Sequence, residues 1–498
     1  MSALRVCIFL AVVLSVFCAR LSWGAEPSPE VQSFVRYQAQ PTLIRDVRVI
    51  DGTGAVARPG QDVLLVDGEI RYVGPTGNSI DPTLFGGEDQ EKDLVVIDAS
   101  GKSLLPGYVM MHEHLMYTAN ANRHFFVTQQ PISFPRLYLA AGVTTARTAG
   151  GVNVSQDLNI AHEINAGRLV GPFFDVTSPH MVGGLPDETE FPYGTIGLPN
   201  LINAQGAKRF VDYWAGLGVT SFKAHTHVAQ EVMQAGIEAA HAKGLKFTAH
   251  LCSLTYREAA ELGLDNIEHG FFEMTDFVPG KQQDECPSSR FKLAGLSPDQ
   301  PEVNELIELL IARGVAVTST LPVMVRAHKT LGELPREALA VLDAPTRSAF
   351  LQRRAQALAR PEALIQAEEK NLRVGMALIR RFHDQGGHLL IGTDPTGMGG
   401  TIAGFANFEA IELLVEAGLS PLQAIKAATL NGAQYLEREA QIGSIEIGKQ
   451  ADLVLVSGAP DQHIRDVRRV VLVFKQGVGF DAQKLFDSVQ GTIGAPGG

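Results

Sequence analysis

The long middle of the chain, from about Leu104 to Leu436, alternates short strand-like apolar runs with amphipathic helix-like ones. Repeated strand–helix units are the sequence form of a parallel sheet, because parallel neighbours must be joined by a crossover. Strand positions fall around Val109 and at Val143 to Thr148, Phe173 to Ser178, Val219 to Lys223, Lys246 to His250, Asn266 to His269, Val315 to Thr320 and Leu389 to Asp394. The segment after the fourth shows the helical spacing. Ala229, Val232, Met233, Gly236, Ile237 and Ala240 form one apolar stripe, which Gly244 ends. Eight such units in a row predict an α/β fold of the (β/α)8 TIM-barrel type rather than an open sheet. Two stretches do not fit the repeat, Pro279 to Glu302 and Val325 to Asn371. Each is long enough to be an insertion over the barrel mouth, and the second reads as largely helical.

Both ends of the chain have a different texture. "LIRDVRVIDG", "DVLLVDGEIRYVG" and "LVVIDASGK" alternate and turn quickly, as strands of a small sheet do, and the same texture returns in "GSIEIGKQADLVLVSG" and "VRRVVLVFKQGVGFD". These pieces predict a small β-sandwich built from both chain ends. The layout is a signal peptide at 1–24, a polar linker at 25–40, sandwich at 41–104, barrel at 105–437, sandwich again at 438–485 and a tail at 486–498. The signal reading rests on Arg5, the apolar run Val6 to Phe17 and the small-x-small pattern Ser22-Trp23-Gly24. An uncleaved membrane anchor is the competing reading, although the run is short for a bilayer. A cleaved signal implies a secreted or periplasmic protein with no stable membrane insertion.

With 42 Lys and Arg against 54 Asp and Glu, the net charge is -12, which argues against a nucleic-acid partner. Cys7 and Cys18 leave with the signal. Cys252 and Cys286 remain, either as one disulfide or as two free thiols. Nothing in the sequence opposes a homo-oligomer.

The chemistry sits where the strands end. "SLLPGYVMMHEHL" places His112 and His114 two apart, so a strand's period of two puts both imidazoles on one face, within reach of one metal ion. Glu113 points the other way. Lys223 ends "VTSFK", His250 follows "LKFTA", His269 follows "NIE" and Asp394 follows "LLIGT". The C-terminal strand ends of a TIM barrel converge on one mouth, so this topology gathers four His, one Lys and one Asp. Imidazole and carboxylate suit zinc, manganese or iron. A protonated Lys223 cannot ligate a cation; it joins the site only if neutral, or if carbon dioxide converts it to a carbamate. His180, Tyr117 and His328 are the candidate substrate contacts, while His225 and His227 read as solvated side chains without an assigned role.

The order HxH, Lys, His, His, Asp resembles the binuclear members of the amidohydrolase superfamily. The phrases "AGVTTARTAGG", "AHAKGLKFTAHL", "LGLDNIEHG", "LLIGTDP" and "IGSIEIGKQADLVLV" resemble its imidazolonepropionase-like and prolidase-like branch, over about Leu43 to Phe480. The resemblance implies one ion on His112, His114 and Asp394, a second on His250 and His269, and carboxylated Lys223 bridging them. It also implies a split β-sandwich beside the barrel. In "TSPHMVGG", His180 falls in the loop after the third strand, where relatives often keep a substrate-contacting His. The chain departs from the branch at Thr148, where related sequences often carry Asp.

This ligand set predicts a metal-dependent hydrolase in which Asp394 takes a proton from water shared by two ions and passes it to the leaving group. A C–N bond is the first expectation, in a dipeptide or an N-acyl amino acid. An ester or lactone and a cyclic amide are the alternatives on the same site. A non-catalytic binding protein on the same barrel is the alternative of a different class.

Overall fold

The computed structural model describes residues 26–85, 93–121, 124–183, 198, 200–288, 293–325, 334–396 and 400–494. The proposed signal segment and His328 lie outside the described residues.

The strands expected in the middle of the chain are present as Tyr108–Glu113, Val143–Thr148, Phe173–Asp175, Thr177–Met181, Ser221–Ala224, Lys246–Ala249, Asn266–Glu268, Ala316–Ser319 and Leu389–Ile391. They pair in parallel, in chain order, as one run of three and one run of six. The third expected strand breaks at Val176, so one extended stretch passes from the first run into the second. At the other end, the backbone N–H groups of Thr393 and Asp394 donate to the His112 carbonyl at 3.1 and 3.0 Å. Gly392 permits this approach, because a Cβ there would lie 2.5 Å from the His112 nitrogen. The last strand of the series therefore ends beside the end of the first.

Helices follow the strands as their apolar spacing dictates. The helix Gln230–His241 buries Val232, Met233, Gly236, Ile237 and Ala240, the stripe read from the sequence. Together the strands and helices enclose the main core, in which Phe222, Phe247, Phe271 and Phe382 are fully buried.

The strand-rich ends meet in one nine-stranded sheet. Leu104 on Lys102–Pro106 pairs with Leu455 on Leu453–Ser457, so the chain's two ends are bonded directly. Ile44, Val63, Leu104, Leu453 and Phe474 share a separate apolar cluster on this sheet.

Several expectations need correction. The stretch read as a linker is ordered from Glu26 onward: Ser28 caps the helix Pro29–Phe34, and Val35–Tyr37 adds an edge strand beside Val478–Asp481. Its overall polarity concealed Val31 and Phe34, three apart on one helical face and both buried. The C-terminal segment is likewise packed rather than a free tail as far as Gly494. Val489 and Ile493 are buried, and Ile493 exchanges backbone hydrogen bonds with Val341 and Asp343. The second insertion holds Arg336–Ala340 and Ala344–Leu358, then runs unbroken past Asn371 into the helix Glu362–Asp384. In the first, Cys286 forms a disulfide with Cys252. Among the described residues, no helix is long and apolar enough to cross a membrane.

Candidate metal centre

All six expected ligand residues stand at the C-terminal ends of the parallel strands. His112, His114, Lys223 and His269 are at most 4% exposed. Three of the four imidazoles are anchored through Nδ1: His112 to Glu268 Oε2 at 2.7 Å, His114 to the Gly150 carbonyl at 2.9 Å, and His269 to Thr320 Oγ1 at 2.8 Å. A partner on Nδ1 fixes the ring and leaves Nε2 for a ligand. His114 Nε2 lies 3.1 Å from Asp394 Oδ1, and His112 Nε2 lies 3.9 Å from the same oxygen. Donor atoms of His112, His114 and Asp394 fall within 4.8 Å of one another. An ion about 2 Å from each ligand holds such atoms within roughly 4 Å, so little adjustment is needed. The rings of His269 and His112 are 4.6 Å apart and those of His269 and His250 are 4.2 Å apart, which links the two halves of the expected ligand set.

Two of these residues carry backbone strain. His269 and Asp394 have φ of 66° and 52°, in the left-handed region that costs a non-glycine residue on the order of 1 kcal/mol or more. Both follow a strand directly or closely, and the sharp turn aims their side chains inward.

Burial dominates the electrostatics. It brings the His112 imidazole down to about 4, so the ring is neutral and able to ligate near neutral pH. It likewise holds His180, His225 and His269 well below the usual histidine range. Burial also brings Lys223 down to about 8, against the opposing pull of Glu268. For Asp394 burial works upward, but the hydrogen bond with His114 and the neighbouring imidazoles of His112, His114 and His269 outweigh it and keep the carboxyl well below its ordinary value.

Sequence reasoning missed the polar interior beneath these ligands. Arg147 is fully buried; it donates to the Met111 carbonyl at 2.7 Å, to Thr248 Oγ1 at 2.8 Å and to Glu268 Oε1 at 3.1 Å. Glu268 therefore spans Arg147 and His112. Burial would raise its carboxyl, yet Lys223, Arg147 and His112 together hold it well below the usual range. Glu113 does turn away from the cluster, as expected, accepting from Thr393 Oγ1 and Asn407 Nδ2.

The remaining candidates are placed as follows. His180 is on the strand Thr177–Met181, in register with Lys223, rather than in a loop; the pairing continues past Pro179 through an irregularity between Thr177 and His180 that tolerates a proline. His225 is half-buried rather than freely solvated. Its ring lies 5.4 Å from His180 and 4.8 Å from His250, so it belongs to the cluster. His227 is half-buried. Tyr117 packs edge-on to Phe134 in the main core. Thr148 accepts the Thr177 N–H at its hydroxyl oxygen and so ties the second strand to the third.

An imidazolonepropionase of Symbiobacterium thermophilum is 22% identical over 427 residues, covering 84% of this chain and 87% of that protein. A Xaa-Pro dipeptidase with methionine bound in its active site superposes with a TM-score of 0.65 at 22% identity, covering 89% of this chain and 100% of that one. A bottromycin amidohydrolase superposes with a TM-score of 0.66 at 20% identity, covering 95% and 97%. Residues 103–479 match the amidohydrolase family, a span that contains the parallel strand series from Tyr108 to Ile391 and every ligand candidate described above. The chain belongs to the amidohydrolase family, hydrolases that act on carbon–nitrogen bonds.

Proposed function

We propose that this protein is an exported hydrolase that uses two divalent ions, zinc in the first instance, to cleave the amide bond of a dipeptide or an N-acyl amino acid. The observation that carries the reading is the buried cluster of His112, His114 and Asp394, with the Nδ1 atoms of His112 and His114 already engaged. Oriented imidazoles beside an ionised carboxylate are the donor set a divalent cation requires. His112, His114 and Asp394 would hold one ion, His250 and His269 the other, with Lys223 between them as a carbamate. On the fold, we read the parallel series as a closed (β/α)8 barrel and the nine-stranded sheet as the small sandwich beside it.

Ions held there would polarise the scissile carbonyl and acidify a water toward neutral pH. The chain's own residues then manage the protons. Asp394, ionised and 3.1 Å from His114 Nε2, accepts the proton released as water attacks the carbonyl carbon, and returns it to the departing amine nitrogen. One water is consumed, the C–N bond breaks, and an acid and an amine are released. His180 and His225, beside the ligand cluster, are placed to contact the substrate.

Export is supported by the bond between Cys252 and Cys286, since disulfides persist in oxidising compartments. A panel assayed with zinc or manganese tests the substrate class: dipeptides and N-acyl amino acids, beside aryl esters, a lactone and a cyclic amide. Turnover of the linear amides that disappears on chelation is expected. Cleavage confined to the esters and lactone would overturn the substrate class. An ion-free protein with undiminished hydrolysis would overturn the metal dependence, and a protein that takes up no ion would point to a binding role instead.

A further inference from the structure

Glu113 stands between His112 and His114 in sequence, yet its side chain points away from the cluster and enters none of the chemistry above. It is fully buried, and burying a carboxylate costs free energy that an apolar side chain of similar size would avoid. Two donors compensate it. Thr393 Oγ1 donates to Oε2 at 2.6 Å, and Asn407 Nδ2 donates to Oε1 at 3.0 Å. Thr393 and Asn407 are themselves fully buried. Thr393 immediately precedes Asp394, so one carboxylate joins the backbone that carries His112 and His114 to the backbone that carries Asp394.

The far end of this link is also fixed. Asn407 Oδ1 accepts the Gly404 N–H at 2.9 Å, at the start of the helix Phe405–Glu416. Turning the Asn407 amide over would set two N–H groups against each other and lose that bond, so Nδ2 is committed to Glu113. Gly404 has little freedom to move: its φ is 80°, and a Cβ there would lie 2.7 Å from the Leu137 carbonyl oxygen. A series of bonds therefore runs from a helix start through Asn407 and Glu113 to Thr393. The Thr393 and Asp394 N–H groups both donate to the His112 carbonyl, which holds the same turn through its main chain.

We propose that Glu113, oriented by Asn407, is a positioning residue that sets Asp394 against His112 and His114 through its bond to Thr393. Asp394 has a φ of 52°, and a non-glycine residue keeps such a conformation only where its surroundings over-determine it. Ligand distances in a metal centre tolerate errors of only about 0.2 Å, so a rigid link behind the ligands has a direct effect on the ion. Glu113 itself touches neither ion nor substrate. The inference rests on the metal-dependent reading above and adds to it a residue outside the ligand set.

Cobalt binding by the full chain tests the proposal, read by competition with a chromogenic chelator and by the absorption bands of the bound ion. Thr393→Val removes the hydroxyl and keeps the shape; Glu113→Leu removes both acceptors. Each should bind cobalt about 10–100-fold more weakly than wild type, with altered bands. Thr393→Ser keeps the donor. Glu113→Gln keeps both bonds, since its oxygen accepts from Asn407 while its amide donates to the Thr393 hydroxyl. These two conservative variants should stay close to wild type in both readouts. Urea denaturation is followed in parallel. If Thr393→Val and Glu113→Leu lose stability but keep wild-type cobalt affinity and bands when folded, Glu113 merely holds the strands together and the proposal is overturned. Glu113→Gln as impaired as Glu113→Leu would overturn it too, because charge rather than the bonded link would then matter. Should Glu113→Leu not fold, the two Thr393 variants decide. Wild type that takes up no cobalt would overturn the metal-dependent reading as well, so the two failures are told apart by the wild-type measurement.

Discussion

Glu268 holds His112 by its Nδ1 at 2.7 Å while its other oxygen takes two hydrogen bonds from the buried guanidinium of Arg147, each 3.1 Å long. A fixed cation below the carboxylate and a ligand imidazole above it form one column through the polar interior of the strand series. Carboxylates in this position orient the imidazole and raise its basicity toward a metal. Glu268→Gln should weaken ion binding by about 10–100-fold. It should also destabilise the fold by about 3–5 kcal/mol, because Arg147 keeps a buried charge without its counterion. Chelator competition and urea denaturation measure the two effects separately. Adding Arg147→Met to Glu268→Gln should restore stability without restoring affinity, and recovery of both would show that the column does not act through His112.

Asp394 carries a different kind of prediction because it is read as a ligand and as the proton carrier. Asp394→Asn keeps the shape of the side chain and an oxygen for the ion, but cannot take a proton near neutral pH. Turnover of the amide substrate is expected to fall by about 10²–10⁴-fold, with folding and most of the ion content retained. Steady-state kinetics beside metal analysis checks this; comparable turnover at full ion content would remove Asp394 from the proton path.

The ligand candidates were legible in the sequence because strand ends are well punctuated. His112, Lys223, His250, His269 and Asp394 each close or directly follow a β-branched or apolar run, and the parallel topology does the rest. Arg147 and Glu268 were not legible as parts of a site. A charged residue within a short apolar run carries no mark of its partner, and Arg147 meets Glu268 only across the strand series. The third strand extends past its expected end at Ser178 to Met181, because Pro179, a residue that usually terminates pairing, here occupies an irregularity. The helix at Pro29–Phe34 and the packed end at Val489 and Ile493 were lost for one shared reason. Each buries only two apolar side chains in an otherwise polar stretch, too few to register as a periodic pattern.

The disulfide joins the loop after His250 to the first insertion, closing a loop with a sequence separation of 34. Lys281 reinforces the same contact, its Nζ donating to the Ser253 carbonyl at 2.6 Å, and Asp284 ties the insertion to the helix Gln230–His241 by accepting the Gln230 N–H at 2.7 Å. Restricting the unfolded chain over a loop of this length contributes about 3–4 kcal/mol. Cys286→Ser should therefore lower the melting temperature, and wild type treated with reductant should fall to the same value. Peptide mapping without reduction should recover the two cysteines as one linked fragment. Two separate thiol peptides from oxidised protein would contradict the pairing.

Asp157 provides the clearest dependence on pH away from the metal centre. It lies in the first turn of the helix Val154–Asn165, is 3% exposed, and its Oδ1 has no hydrogen-bond partner among the described residues. The helix N-terminus favours a charged carboxylate by at most about 1 kcal/mol. Burial outweighs that and pushes the carboxyl from 3.8 up to about 7. A folded value above the unfolded one means that the native state binds the proton more tightly. The resulting stability is complete below about pH 4 and is lost as the pH rises through about 7, a change of order a few kcal/mol. Asp157→Asn cannot ionise and should lack this slope. Urea denaturation of both proteins at pH 5, 6, 7 and 8 isolates the effect, because every other titrating group is shared and cancels in the difference. The Asn variant should gain on wild type from pH 5 to pH 7 and level off by pH 8. A constant difference across that range would show that Asp157 is already ionised in the folded protein, with a partner that compensates its burial.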